Sequence, residues 1–264
     1  MNRLKLIIFV ALLTAATAQA NPTFDIATPV FTQPDRQIFI VEETIQLRFY
    51  ADVYAEYCTT SGGGIFCQYN LLVNDGSVAA PYASAVYDDE SGCWVLDDSR
   101  TVVGPSLYPT DTGTYELEAI VEVWVFDPDS SYRKVSTNMT IDVVDRLVDI
   151  DIKPGSSPNS INLGSNGVVP VAILSSETFD ATQVDPETVT LAGSGVAVRG
   201  KGNKYLAHQE DVNDDGLTDL VCQVETENLD PGTFQNGSAT LLAYAYDGSL
   251  YIGGSDEITI VPPE

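Results

Sequence analysis

The residues with the most direct chemical potential lie in one short stretch, Asp211-Val212-Asn213-Asp214-Asp215-Gly216-Leu217-Thr218-Asp219. Oxygen-bearing side chains at alternate positions 1, 3 and 5 (Asp211, Asn213, Asp215) converge when a chain wraps a hard cation. Gly216 at position 6 permits the sharp reversal such a wrap needs. The backbone carbonyl of Leu217 is the expected seventh-position ligand, and Asp219 closes the shell at position 9. Three carboxylates against one divalent ion leave a small negative remainder, so Ca2+ is the expected ligand. The alternative is a polar Asx-turn that holds no metal. The twelfth position is Cys222 instead of a bidentate glutamate. The run Leu220-Val221-Cys222-Gln223-Val224 that follows reads as a strand, which gives a calcium site a structural role and not that of a sensor.

Other groups offer weaker chemistry. His208 is the sole histidine and sits three residues before the loop, near Arg199, Lys201 and Lys204. Local charge balance beside an acidic loop accounts for it better than a proton shuttle. With one histidine and no serine or cysteine in a nucleophile setting, triad chemistry is a poor fit. A small secreted hydrolase using a carboxylate pair stays open as an alternative, because 38 acidic residues always offer a pair. The thirteen tyrosines, Trp94 and Trp124 could form a sugar-stacking platform. Trp124 falls on the glutamate face of its strand and is the best candidate for an exposed aromatic, but burial against a second sheet or the other domain is the favoured reading. Asp88-Asp89-Glu90 and Asp127-Pro128-Asp129 could hold a second cation or be solvated turns. Asn138 and Asn236 stand in glycosylation sequons.

The elements that must position these groups are strands. Tyr115, Leu117, Ala119, Val121, Val123 and Val125 alternate with Glu116, Glu118 and Glu122, the period of a half-buried strand. A turn at Asp127-Pro128-Asp129-Ser130 precedes a second alternating run, with Val135, Met139, Ile141 and Val143 facing in, so a long hairpin is predicted. Leu47, Phe49, Ala51, Val53 and Ala55 mark a third. No window after residue 20 keeps a helical stripe. The predicted fold class is all-β, two β-sandwich domains in tandem, 21–145 and 147–264, with the boundary at Asp145-Arg146.

Residues 1–20 read as a secretory signal peptide: Arg3 and Lys5, the apolar run Leu6 to Leu13, and Ala18-Gln19-Ala20 as the cleavage site. No later stretch approaches the ~20 apolar residues of a transmembrane helix. The chain is therefore expected to be secreted, extracellular or at a bacterial cell surface. The formal charge is −26. It is spread evenly, with 20 acidic and 6 basic residues in 21–146 and 18 and 4 in 147–264. Such a field repels nucleic acid and anionic membranes, although screening in a salty medium alone would account for it. Export permits disulfides among Cys58, Cys67, Cys93 and Cys222. Cys58–Cys67 is the expected bridge, worth about 2–3 kcal/mol for its short loop, with Cys67–Cys93 the main competitor.

Two resemblances add to this. Asp111-Thr112-Gly113-Thr114-Tyr115 looks like a tyrosine corner, and with the hairpin after it makes 21–145 resemble an immunoglobulin-like β-sandwich. Val148-Asp149-Ile150-Asp151-Ile152-Lys153-Pro154-Gly155-Ser156, Pro158-Asn159-Ser160-Ile161-Asn162, Gly167 to Leu174 and Glu210-Asp211-Val212-Asn213 with Asp215-Gly216 and Asp219-Leu220-Val221 make 147–262 resemble a C-terminal β-rich calcium-loop module of exported environmental-bacterial proteins. That resemblance implies an extracellular accessory module and no particular activity. The loop itself is similar to the calcium loops of FG-GAP-type blades and thrombospondin type 3 repeats. The leading expectation is a non-enzymatic, calcium-binding protein of adhesion or extracellular-matrix assembly, with an extracellular protein, a polysaccharide or further copies of itself as partner. The first alternative is a carbohydrate-binding module protein, which requires exposed aromatics in a row.

Overall fold

The computed structural model describes residues 21–34, 36–58, 63–74, 76–78, 81–126, 131–201, 204–234 and 237–261 of the 264. The expected signal peptide, the turn 127–130 and Asn236 lie outside the described residues. Among the described residues the chain is all strand and turn, with three single-turn 3-10 segments.

The first sandwich has two sheets. One runs β1 (Thr23–Ile26), β4 (Arg48–Cys58), β9 (Cys93–Val103), β8 (Val86–Asp88), with β2 (Val30–Gln33) also on β4. The other runs β3 (Ile38–Ile40), β11 (Ser131–Val144), β10 (Gly113–Phe126), β5 (Gly64–Val73), β6 (Gly76–Val78), with β7 (Tyr82–Ser84) on β5. The period-2 reading holds: Phe49, Ala51, Val53 and Ala55 of β4 meet Leu117, Ala119, Val121, Val123 and Val125 of β10 in one buried core. Burying each larger aliphatic side chain contributes roughly 1.5–3 kcal/mol. The hairpin forms as expected, Val121 opposite Val135 and Leu117 opposite Met139. The Tyr115 hydroxyl donates to the Asp111 carbonyl at 3.1 Å, which pins the entry into β10.

A second, separate core is built from residues 150–258. One sheet is β12 (Arg146–Leu147), β23 (Leu250–Glu257), β22 (Ser238–Ala245), β16 (Thr190–Leu191), β17 (Ser194–Gly195). The other is β13 (Ile150–Ile152), β15 (Val168–Ile173), β21 (Asp219–Glu225), β20 (Ala207–Glu210). Two short pairs complete it, β14 (Ser160–Ile161) with β24 (Thr259–Ile260) and β18 (Val198–Arg199) with β19 (Lys204–Tyr205).

The junction between the cores is itself paired. Asp145 N–H donates to the Tyr251 carbonyl at 2.9 Å, and its carboxylate accepts from Tyr251 N–H at 2.8 Å. Arg146 and Leu147 lie parallel to Ile252 and Gly253, and Val148 N–H donates to the Gly253 carbonyl at 2.9 Å.

The disulfide differs from the expectation. It joins Cys58 to Cys93, not Cys58 to Cys67. Cys58 ends β4 and Cys93 begins β9, directly opposite in antiparallel register with Cα atoms 4.0 Å apart. Cys67 belongs to the facing sheet and points into the core, fully buried. Cys58 is on the opposite parity of β4 from Phe49 to Tyr57, so it points away from that core. The 35-residue separation predicts about 3–4 kcal/mol from loop closure. Reduction is expected to lower the melting temperature of the first sandwich by roughly 10–15 °C. Peptide mapping without reductant should recover the Cys58–Cys93 pair; a peptide containing Cys67 in its place would refute the register.

Candidate functional site

The 211–219 loop connects β20 to β21. Asp214 and Gly216 take positive φ of 60° and 84°, which produces the tight reversal expected at position 6. The side chains of positions 1, 3 and 5 turn inward together. Asp215 N–H is shared by Asp211 Oδ1 (3.2 Å) and Asn213 Oδ1 (3.1 Å), and Gly216 N–H donates to Asp211 Oδ2 at 2.9 Å. Asn213 Nδ2 donates to Asp215 Oδ2 at 3.1 Å, and Leu217 N–H to Asp215 Oδ1 at 2.7 Å. These groups are exposed.

Asp219 is set apart. It is completely buried, and its two oxygens accept from Ser175 N–H (2.8 Å) and Val212 N–H (3.0 Å). Ser175 in turn donates its hydroxyl to the Thr218 carbonyl at 2.6 Å and accepts from Ala181 N–H at 2.9 Å. Asp219 therefore ties both ends of the loop to the segment after β15. Its oxygens do not gather with those of Asp211 and Asp215 to within 4.8 Å of one another. The donor set still fits a hard cation, because each carboxylate oxygen that accepts one N–H keeps a lone pair. Asp211, Asn213, Asp215, the Leu217 carbonyl and Asp219 are the groups that would hold it.

The first sandwich presents a different surface. On the sheet face away from the core, four rings form a row across four strands: Tyr82 on β7, Phe66 on β5, Trp124 on β10 and Tyr132 on β11. Successive centroids are 5.5, 5.7 and 5.5 Å apart. Register places them there, since Trp124 lies opposite Phe66 on one side and Tyr132 on the other. Tyr82 is 67% exposed and Tyr132 43%. Phe126, on the same face, is 56% exposed. A polar rank runs alongside. Gln68 Nε2 donates to Asn70 Oδ1 (3.0 Å), Asn70 Nδ2 to Glu122 Oε2 (2.7 Å) and the Tyr132 hydroxyl to Glu122 Oε1 (2.5 Å). The bond to Glu122 pushes the Tyr132 phenol up to about 12, so it stays a neutral donor. Trp124 thus faces out, whereas Trp94 packs partly on the core beside Tyr87. The sequence offers Trp94 and the thirteen tyrosines only as a class and singles out Trp124. Phe66, Tyr82 and Tyr132 join it through strand pairings that local patterning does not contain.

The remaining candidates resolve into local contacts. His208 Nε2 is 3.2 Å from Glu210 on the exposed strand β20. Asp88 caps a turn, accepting from Glu90 N–H and the Ser91 hydroxyl, and that hydroxyl bond lowers its pKa. Burial raises the pKa of Asp142 and Asp151, the latter with help from Asp256. Asp142 stands ten residues along β11 from Tyr132, and Asp151 is in the second sandwich, so neither belongs to the aromatic row. Arg100 grips Asp98 inside the first sandwich at 2.7 and 2.8 Å and lies over the Tyr69 ring. Burial pushes the neighbouring Cys67 thiol up to about 11, and Cys222 up to about 12. Both thiols are expected to resist a disulfide reagent at pH 8 in the folded protein and to react on denaturation; rapid labelling of the native chain would contradict this.

Among the described residues no helix is long and apolar enough to cross a membrane. No family model and no curated protein matches the chain. Solved structures to which the chain is similar include SGBP-B of the Bacteroides ovatus mixed-linkage glucan utilization locus, in complex with a mixed-linkage heptasaccharide (14% identity, TM-score 0.29, 91% of this chain, 48% of that one). Rst D1-D2 is similar at 11% identity and TM-score 0.20, over 89% of this chain and all of that one. A tri-modular GH5 endo-β-1,4-glucanase of Bacillus licheniformis is similar at 11% identity and TM-score 0.21, over 88% and 38%. This chain spans about half the length of SGBP-B. Likenesses of this size do not bear on activity.

Proposed function

We propose that this is an exported, non-enzymatic protein that holds polysaccharide on the outer face of its first sandwich and a structural calcium ion in the 211–219 loop of its second. The row Tyr82–Phe66–Trp124–Tyr132 carries the reading. A pyranose has an apolar face that packs on aromatic rings and a rim of hydroxyls that needs donors and acceptors beside them. The row offers the first and Gln68, Asn70 and Glu122 the second. A purely matrix-forming protein has no need of such a face, so the carbohydrate reading takes precedence over self-assembly. The disulfide accords with export. Affinity electrophoresis through gels containing soluble polysaccharides tests the assignment. At least one should retard the protein; migration unchanged in all of them would sink it.

Calcium is assigned a stabilising role. With an affinity of ~10⁻⁴–10⁻³ M, 10 mM calcium should add roughly 1.5–3 kcal/mol. That is a rise of several degrees in the melting temperature. Asp215→Ala should abolish the shift. Identical melts of the wild-type chain in calcium and in chelator would remove the metal from the account.

A further inference from the structure

The geometry points to a narrower ligand class, resting on the glycan-binding reading above: the row takes a single, uncharged, twisted glycan chain that crosses the strands, and neither a crystalline polysaccharide surface nor an anionic polymer. Three observations carry this. First, neighbouring rings are inclined to one another by 30°, 39° and 39° from Tyr82 to Tyr132. One ring per strand inherits the rotation between adjacent strands of a twisted sheet. No plane touches all four, so a flat crystal face meets one or two, whereas a lone chain turns with them. Second, the rings repeat every 5.5 to 5.7 Å, slightly more than the inter-strand spacing of ~4.8 Å. That matches the advance of an extended, equatorially linked pyranose chain, so about four sugar units fit when the chain runs along the row. Third, the face offers little to an anionic polymer. Glu116, Glu118 and Glu122 lie on it, and Lys134, the cation paired there, is 3.5 Å from Glu118. Glu122 accepts from Asn70 and Tyr132, neutral donors that bring no positive charge. An anionic chain meets repulsion here.

The groups on either side of the rings favour a glycan over a protein partner. An apolar strip with an ordered amide, carboxylate and phenol rank beside it mirrors the two aspects of a pyranose. A second copy of this chain would bring the same acidic face against itself.

Binding is measured for the full mature chain with hydroxyethylcellulose, xylan and galactomannan as uncharged soluble probes. Carboxymethylcellulose and alginate serve as anionic probes, and microcrystalline cellulose and chitin as crystalline ones. The expected result is binding to at least one uncharged soluble probe, unchanged between 50 and 500 mM NaCl, with more than tenfold weaker binding to every other class. Oligosaccharides of the bound backbone should gain affinity up to about four units. Tyr82→Ala, at the most exposed ring, should shorten that plateau without affecting the melt. If a crystalline or anionic probe binds tightest and Trp124→Ala abolishes it, glycan binding stands and the ligand class assigned here falls. No binding in any arm, or self-association that Trp124→Ala removes, overturns both.

Discussion

Trp124→Ala is expected to weaken polysaccharide binding about thirty-fold or more while lowering the melting temperature by no more than about 5 °C. Trp124 is the inner ring of the row, with Phe66 at 5.7 Å and Tyr132 at 5.5 Å. A central aromatic that a ligand covers completely is worth about 2 kcal/mol or more, and each 1.4 kcal/mol is a factor of ten. The stability cost is smaller because the side chain faces away from the core formed by Val121, Val123 and Val125. What is lost there is ring–ring contact, ~0.5–1.5 kcal/mol. Trp124→Phe should recover part of the affinity. Isothermal titration with the best soluble glycan, alongside calorimetric melts, reads both quantities. Full affinity in the alanine variant would move the binding face elsewhere.

Asp219→Ala is expected to destabilise the second sandwich by about 4 kcal/mol in chelator, a fall of roughly 15 °C in its melting temperature. Its carboxylate is fully buried and takes two backbone N–H bonds, from Ser175 and Val212. Each bond to a charged acceptor contributes about 1.5–3 kcal/mol, and removing the acceptor strands both donors. Asp219→Asn should recover little, since one oxygen becomes an amide that faces a donor. Asp215→Ala, at an exposed position, should melt close to wild type in chelator and lose only the calcium response. The two variants thus separate the loop's anchor from its outer ligands. Equal behaviour of both in chelator would mean that Asp219 is not the anchor.

Alternation made the strands legible, because a sheet with one wet face writes its period directly into the chain. The hairpin of β10 and β11 and the core side chains of β4 followed from that. The reversal of the 211–219 loop was legible for a similar reason, since Asp211, Asn213 and Asp215 bond within it, whereas Asp219 reaches outside it to Ser175. The disulfide was not. Cys58 and Cys67 are close in sequence, but β4 and β5 belong to different sheets, and only the β4–β9 register brings Cys93 to Cys58. The aromatic row has the same character. The glutamate neighbours of Trp124 made this half-buried ring a candidate for the outer face, yet nothing local assigns Phe66 or Tyr82 to its side. Ser175, which joins the loop to the body of the second sandwich, sits in an unremarkable Ser-Ser pair. Sequence distance hides what strand pairing decides.

The paired junction has a mechanical consequence. Arg146 and Leu147 are laid along β23, and Asp145 and Val148 are bonded to the same strand on either side of them. The passage between the sandwiches is therefore not a tether with slack. β11 ends at Val144 and Asp145 is already bonded to β23, so almost no free chain is left between the two, and the molecule is expected to tumble in solution with one correlation time.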